Sequence, residues 1–327
     1  MNVLVTGANG LLGHHVVMEL LNRQHTVHIL VRSKQQIYFD ISTTKVFEGN
    51  FSDYMCLSRA AQGCDAIIHI AAVTATDLLK LEDYQAINVT GVATVIHVAN
   101  ELGITRMVYI SSANTVGFGN EQQAGDERLT IQYPFTESFY AQSKAEAEHL
   151  MVEASRKAGQ HIVIINPAFM LGAYDTKPSS GKLILMGYKQ SVMFTPKGGK
   201  NFVPVHDVAI AVCNALILGR NGERYLASGS NLSFKEYYTL QKEVGKYRQH
   251  IIELPGFLLL LMGKAGDLIR RLGIRTGLCT MNLRQLMIQE YYSNQKAVTE
   301  LHLPQSDIKT AVNEAINWFN EHNMART

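Results

Sequence analysis

No apolar run in the 327-residue chain exceeds six residues, and FLLLLM at 257–262 falls far short of the roughly 20 needed to cross a bilayer. Stable insertion in a membrane is excluded on length, and the run reads as a helix that packs on the core or lines an apolar pocket, with lying on a membrane surface as the alternative. Charge of one sign is missing as well. Thirty Lys and Arg against 28 Asp and Glu leave a net of +2, too weak a field to recruit nucleic acid. Cysteine is scarce: Cys56, Cys64, Cys213 and Cys279 have neither the paired spacing of metal ligands nor the density of a disulfide-stapled secreted fold. Reduced thiols in a cytoplasmic protein are the expectation, and MNVLVTGANG shows no basic region or cleavage site that would direct export. No metal site is expected, because His14 and His15 are adjacent at a helix start and His69 sits in an apolar strand as a core residue. A small-molecule partner is the default.

The first half of the chain alternates short β-rich runs with amphipathic stretches. NVLVTG (2–7), TVHILVR (26–32), KVFEG (45–49), AIIHIAA (66–72), RMVYISS (106–112) and HIVIINP (161–167) are near-continuously apolar. Segments 11–22, 82–102 and 138–158 between them read as helices. Apolar strands separated by helices imply a doubly wound α/β architecture, a parallel sheet covered on both faces. After Pro167 the pattern loosens into GAYDTKPSSGK (172–182), followed by helical runs near 206–218, 233–246, 256–272 and 305–322. Residues 1–170 are expected to form a dinucleotide-binding domain, with 202–218 returning to it. Residues 171–327 are expected mainly to form a smaller substrate-binding cap beyond the strand carboxyl ends.

TGANGLLG carries the first chemical signal. Gly7, Gly10 and Gly13 follow the first strand and open a helix, with Asn9, Leu11 and Leu12 completing the turn. A tight turn, a close backbone approach and a close helix-to-strand contact each require a missing side chain, and the helix amino terminus offers its amides to a pyrophosphate. The second signal is FYAQSK, which stacks Tyr140 and Lys144 on one face of a helix. A free phenol titrates near 10 and exchanges protons poorly at neutral pH. A cation one turn away is expected to push that pKa down, making Tyr140 a proton donor and acceptor and Lys144 its electrostatic partner.

The G-x-x-G-x-x-G spacing and the Tyr-x-x-x-Lys pair together resemble the extended short-chain dehydrogenase/reductase superfamily, of the NAD-dependent epimerase/dehydratase type. The register SSANTV is similar to the dihydroflavonol 4-reductase-like branch, and DTKPSSGK to bacterial relatives described as hopanoid-associated sugar epimerases. The resemblance implies a Rossmann fold and a Ser-Tyr-Lys mechanism. Ser112 would hold the substrate oxygen, with Ser111 in reserve; the epimerase register would place that role at Ala113. Asn88 would join a proton relay with Lys144. Asn50 and Phe51 would flank the adenine, Ala71 and Ala72 the ribose and pyrophosphate, and Pro167 and Phe169 one face of the nicotinamide. Lys144 would also anchor the ribose. Substrate contacts would fall on Ser112, Ala113, Tyr140, Asn166 and Lys182.

A family member reads the adenosine ribose at the end of the second strand. Here that end is LVRSK, with Arg32 and Lys34 and no Asp or Glu from 25 to 36. A carboxylate would repel a 2′-phosphate, whereas a guanidinium can grip one with two hydrogen bonds, so NADP is expected, with NAD possible. Ala113 and Asn114 stand where dehydratases carry an Asp-Glu pair, which disfavours dehydration, and Gly117 lacks the side chain flavonoid reductases carry there. Carbonyl reduction by hydride transfer is the leading reading. An NAD-dependent nucleotide-sugar epimerase and a non-catalytic dinucleotide sensor are the alternatives. The resemblance also implies a possible homodimer through segments near 85–102 and 140–157.

Overall fold

The computed structural model of the chain describes residues 1–75 and 77–325. In order, the first half runs β1 (Asn2–Thr6), α1 (Leu11–Asn22), β2 (Thr26–Val31), β3 (Thr44–Glu48), α2 (Tyr54–Ala61), β4 (Ala66–His69), α3 (Leu81–Asn88), α4 (Thr90–Glu101), β5 (Arg106–Ile110), α5 (Phe139–Ser155) and β6 (His161–Pro167). The second half runs β7 (Phe169–Leu171), α6 (Gly181–Gly187), β8 (Val192–Thr195), β9 (Gly199–Pro204), α7 (Val205–Leu218), β10 (Arg224–Ala227), β11 (Ser230–Ser233), α8 (Phe234–Val244), β12 (His250–Glu253), α9 (Gly256–Arg271), α10 (Thr280–Gln285), β13 (Gln289–Glu290), α11 (Gln295–Leu301) and α12 (Ile308–Glu321).

The six apolar runs of the first half all become strands of one sheet, because branched residues buried on both faces favour the extended chain. The order is β3-β2-β1-β4-β5-β6-β10, and every pairing is parallel. The seventh strand, β10, lies beyond the first half of the chain and joins beside β6. Val16, Val17 and Leu20 of α1 and Val208, Val212 and Leu216 of α7 bury one face. Leu57 of α2, Val95 and Val98 of α4 and Met151 of α5 bury the other. Each such side chain withdrawn from water is worth about 1.5–3 kcal/mol.

The sheet order reverses between β1 and β4, so the loops leaving their carboxyl ends diverge and open a crevice. Above it lies a second layer. β9 is bordered by β11 and β13 and also pairs with β7, while β8 and β12 form a separate two-stranded parallel ribbon. Its core is aromatic: Phe202 stacks on Tyr237 at 4.4 Å, and Tyr238, Trp318 and Phe319 pack nearby. The stretch expected as one helix over 82–102 is assigned as α3 and α4, with Val89 between them still in the helical region and Asn88 buried.

His14 and His69 are two of the three histidines buried among the described residues. His14 is buried with Nδ1 3.2 Å from the Gly10 carbonyl, accepts at Nε2 from the Tyr38 amide at 3.1 Å, and stacks on Tyr174 at 5.2 Å. His69 is the packed core residue expected, with Nδ1 2.8 Å from Thr6 Oγ1. Burial pushes His14 down to about 4 and His69 down to about 3. Both stay neutral in the folded chain while the unfolded chain takes up protons below about 6.5, so their stabilisation is present above that pH and is lost as pH falls. Between pH 7 and 5.5 each histidine should cost about 1 kcal/mol. Urea unfolding should therefore show a lower midpoint at pH 5.5 than at pH 7, and an unchanged midpoint would contradict the neutral buried state.

Candidate active site

The glycine turn forms the floor of the crevice. Gly7 sits at φ +78°, a conformation that favours glycine, and a Cβ there would stand 2.8 Å from the Ala71 nitrogen. At Gly13 a Cβ would lie 2.1 Å from the Gly7 carbonyl oxygen, so α1 rests directly on the turn. Gly10 differs: its absent side chain would meet only the Gly7 oxygen at 3.4 Å, so its outer side is open. Gly10 caps α1 without a side-chain hydrogen bond, and no acid occupies the first turn. Free amides, the positive end of the helix dipole and an open cradle fit the pyrophosphate of a dinucleotide. Asn9 is partly exposed in this turn and Leu11 partly exposed at the helix start, whereas Leu12 is buried in the core and can offer only its backbone.

Four of the expected site residues converge beyond β5. Ser112 caps the short 3-10 turn Ala113–Thr115, accepting from the Asn114 amide at 3.2 Å, and its hydroxyl lies close enough to the Tyr140 phenol to favour the phenolate. Tyr140 and Lys144 both project from the first half of α5, whose amino terminus is capped by Ser138. Lys144 is 2% exposed, donates from Nζ to the Ile110 carbonyl at 2.6 Å, and lies 4.5 Å over the Tyr109 ring. Burial lowers its pKa to about 7, with Glu148 one turn on opposing the shift.

The expected downward push on Tyr140 is reversed here. Burial raises the phenol above its ordinary value, and the Ser112 hydroxyl only partly offsets this. Desolvation outweighs the neighbouring cation because the same burial weakens that cation's hold on its proton.

Asn88 is tied more tightly than a relay requires. It accepts from the Val73 amide at 2.8 Å and donates to the Val73 carbonyl at 3.1 Å and to Ser143 Oγ at 3.0 Å. Ser143 in turn donates to the Tyr140 carbonyl at 2.8 Å. Asn88 thus fastens the loop after β4 to the helix that carries Tyr140 and Lys144. Ser111, the reserve hydroxyl, is buried with Oγ unpartnered while its amide pairs with the Ile165 carbonyl.

Several expected contacts are placed elsewhere. Ala113 is buried among Val116, Leu226 and Tyr292, whose phenol donates to the Ala113 carbonyl at 3.2 Å, so its methyl faces the core and not a substrate. Asn166 is also fully buried; its Nδ2 donates to the Ser112 carbonyl, Thr115 Oγ1 and Glu148 Oε2, which sets it behind the Ser112 loop. Phe51 turns its ring inward, where a Cβ on Gly91 would stand 2.2 Å away, instead of lying along an open adenine groove. Lys182 is exposed on α6, which packs on α8 and α12. Gly117 is a packing requirement, since a Cβ would lie 2.7 Å from Leu129.

Other expected residues border the crevice. Asn50 is exposed, with Oδ1 accepting from the Ser52 amide. Ala71 and Ala72 are partly exposed, and the Ala71 amide donates to Thr6 Oγ1. Pro167 is buried at the end of β6, and Phe169 is half-buried edge-on to Phe202. Arg32 and Lys34 are exposed just past β2, and neither side chain has a hydrogen bond or ion pair among the described residues.

Sequence reasoning missed Glu148 and Thr115. Glu148 is buried and accepts from Thr115 and Asn166 while facing Arg224 at 3.4 Å, holding the Ser112 loop against α5. Its position one turn after Lys144 was the available signal. A cavity of about 930 Å³ lies behind this network between α5, β10 and α11 and is lined by Asp126, Arg128, Arg224 and Lys296. It includes neither Tyr140 nor the glycine turn, so the chemistry is read from the converging side chains and not from this void.

The comparisons with known proteins agree with this geometry. The sequence model of the NAD dependent epimerase/dehydratase family matches residues 3–226. A Synechocystis sp. protein provisionally named dihydroflavonol 4-reductase is 29% identical, with 99% of this chain and 96% of that protein covered. Sterol demethylase protein B of Methylococcus capsulatus is 28% identical over 99% of this chain and all of that protein. The crystal structure of gox2253 superimposes with a TM-score of 0.83 at 26% identity, covering 99% of both chains. With its glycine turn, its Tyr-Lys helix and its parallel sheet in place, the chain belongs to the NAD dependent epimerase/dehydratase family of extended short-chain dehydrogenases/reductases and is an NAD(P)-dependent enzyme.

Proposed function

We propose that the protein is an NADP-dependent reductase of a carbonyl on a small, partly apolar substrate. The observation that carries this is the buried Lys144, held to the Ile110 carbonyl at the carboxyl end of β5, with Tyr140 one helical turn before it and Ser112 just past that strand. The dinucleotide supplies a hydride to the carbonyl carbon when bound. Ser112 holds the carbonyl oxygen, Tyr140 gives that oxygen its proton, and the product is an alcohol. A phenol held above its ordinary pKa is protonated at neutral pH, which suits the donating direction. Lys144, titrating near 7, can return a proton to the phenolate and hold a ribose hydroxyl. Asn88 and Glu148 position these groups without touching the substrate.

NADP is favoured over NAD by Arg32 and Lys34, two exposed cations free to meet a 2′-phosphate, with no Asp or Glu in residues 25–36. The second layer, bearing Phe169 and the aromatic core of β9 and α8, serves as the substrate cap. A partly apolar substrate agrees with the sterol named for the Methylococcus capsulatus relative. The description of the matching family favours a second reading, an NAD-dependent sugar epimerase. The dinucleotide that co-purifies separates the two: NAD retained through purification supports the epimerase.

Tyr140→Phe should lower kcat for aldehyde and ketone reduction by about 10²–10⁴-fold while NADPH binding, followed by cofactor fluorescence, persists. Equal activity in the variant would remove Tyr140 from the chemistry. In the wild type, reduction should decline as pH rises through about 7, because the Lys144 ammonium is present below that value and lost above it. A profile flat from pH 6 to 9 would contradict its role. Arg32→Asp should raise KM for NADPH by about 10–100-fold and lower it for NADH, the loss of one charged hydrogen-bond pair. Unchanged preference would contradict the NADP assignment.

A further inference from the structure

The run FLLLLM does not pack on the core as the sequence implied. In α9 only Leu259 of that run is buried, while Phe257 is 62% exposed and Leu261 58% exposed. Further along, Leu268 is 61% and Leu272 73% exposed. At 100° per residue these four, with Leu258 and Met262, cover an arc of about 140° on one side of the helix. The opposite side is closed by small residues. A Cβ on Gly266 would stand 1.3 Å from the Leu278 carbonyl oxygen, and one on Gly263 2.7 Å from Thr280 Cα. The segment entering α10 therefore lies flush on the glycine stripe, and α9 cannot roll its leucines inward. The apolar surface continues onto the ribbon that feeds the helix, where Phe194 and Ile252 are register partners and both exposed.

The charge on α9 and α10 is mostly basic, while the ribbon beside them carries the exposed Glu253. Residues 256–285 hold Lys264, Arg270, Arg271, Arg275 and Arg284 against Asp267 alone, a net of +4 in a chain whose total is +2, so the remaining residues together carry −2. Lys264 and Arg271 flank the apolar arc and are exposed. The other three arginines seat the helical hairpin on the enzyme. Arg270 donates to the Leu78 carbonyl at 3.0 Å, Arg275 pairs with Asp77 at 3.1 Å, and Arg284 donates to the Tyr133 hydroxyl. Leu78 and Tyr133 lie on the loops after β4 and before α5, so the apolar face borders the crevice that holds Tyr140.

We propose that α9 and the β8–β12 ribbon form a docking face for an anionic lipid bilayer, with α9 lying in the interface plane. An exposed apolar arc bordered by uncompensated basic side chains is the composition that partitions there. A second copy of the chain is disfavoured as occupant, because a symmetric contact would set the exposed Lys264 and Arg271 of one copy against the same cations of the other. The docking face rests on the geometry of α9 and is independent of the reaction assigned to Tyr140.

The test is co-sedimentation of the full chain with vesicles of phosphatidylcholine alone and of equal parts phosphatidylcholine and phosphatidylglycerol. About ten-fold stronger partition onto the anionic vesicles is expected, weakening as salt is raised. Leu261→Glu with Leu268→Glu, both at exposed positions, should abolish binding with circular dichroism unchanged. Lys264→Glu with Arg271→Glu should weaken it by about ten-fold or more, which keeps the test intact if the leucine variant misfolds. No binding to anionic vesicles overturns the proposal, as does binding that survives both variants. Self-association of the wild type that the leucine variant abolishes, without vesicle binding, also overturns it and makes the face a contact between copies.

Discussion

The site depends on an ammonium group held where water cannot solvate it. Lys144 reaches back from α5 to the Ile110 carbonyl at the end of β5, which fixes the distance between that helix and the sheet. Burial of this kind is costly unless partners surround the charge, and here a carbonyl, the Tyr109 ring and Glu148 share the task. With the helix pinned, Tyr140 one turn earlier is brought to the Ser112 hydroxyl. The same desolvation that lowers the lysine raises the phenol, so two groups with nearly equal pKa values in water are driven apart, the lysine to about 7 and the phenol above its ordinary value. That separation makes the ammonium the stronger acid of the two and directs its proton toward a phenolate.

A second set of contacts keeps the arrangement in register. Asn88 links the loop after β4 to Ser143, and the Asn166–Glu148–Thr115 cluster supports the Ser112 loop from behind. The hydrogen bonds these residues make run to the protein itself, with Asn166 Oδ1 buried without a partner. Their value lies in rigidity: a proton transfer over hydrogen-bond distance is sensitive to displacements much smaller than a side chain.

Much of this was legible in the sequence. The six strands of the first half were marked by runs of branched apolar residues, and Gly7 and Gly13 by steric demands that only glycine meets. Tyr140 and Lys144 were readable because helical spacing alone puts them on one face. What failed depended on the direction a side chain takes at a strand end or turn. Ala113, Asn166 and Phe51 each lie in the expected segment, yet packing by Tyr292, Glu148 and Gly91 turns them inward, and no local periodicity encodes that. The sign of the Tyr140 shift was missed for a related reason, since a nearby cation is visible in sequence but the loss of water around both groups is not. In the second half, β7 to β13 are mostly two to six residues long and pair across large sequence separations, leaving little pattern to find.

The account's central claim is that Tyr140 is a half-buried phenol whose protonation answers to the charge placed beside it. NMR titration of ring-labelled tyrosine, with Tyr140→Phe assigning the resonance, measures this directly. The account predicts a phenol that ionises above its ordinary value in the free protein and at least about one pH unit lower when oxidised dinucleotide is bound. A Tyr140 resonance that titrates at the ordinary value, and is unmoved by the dinucleotide, would contradict it.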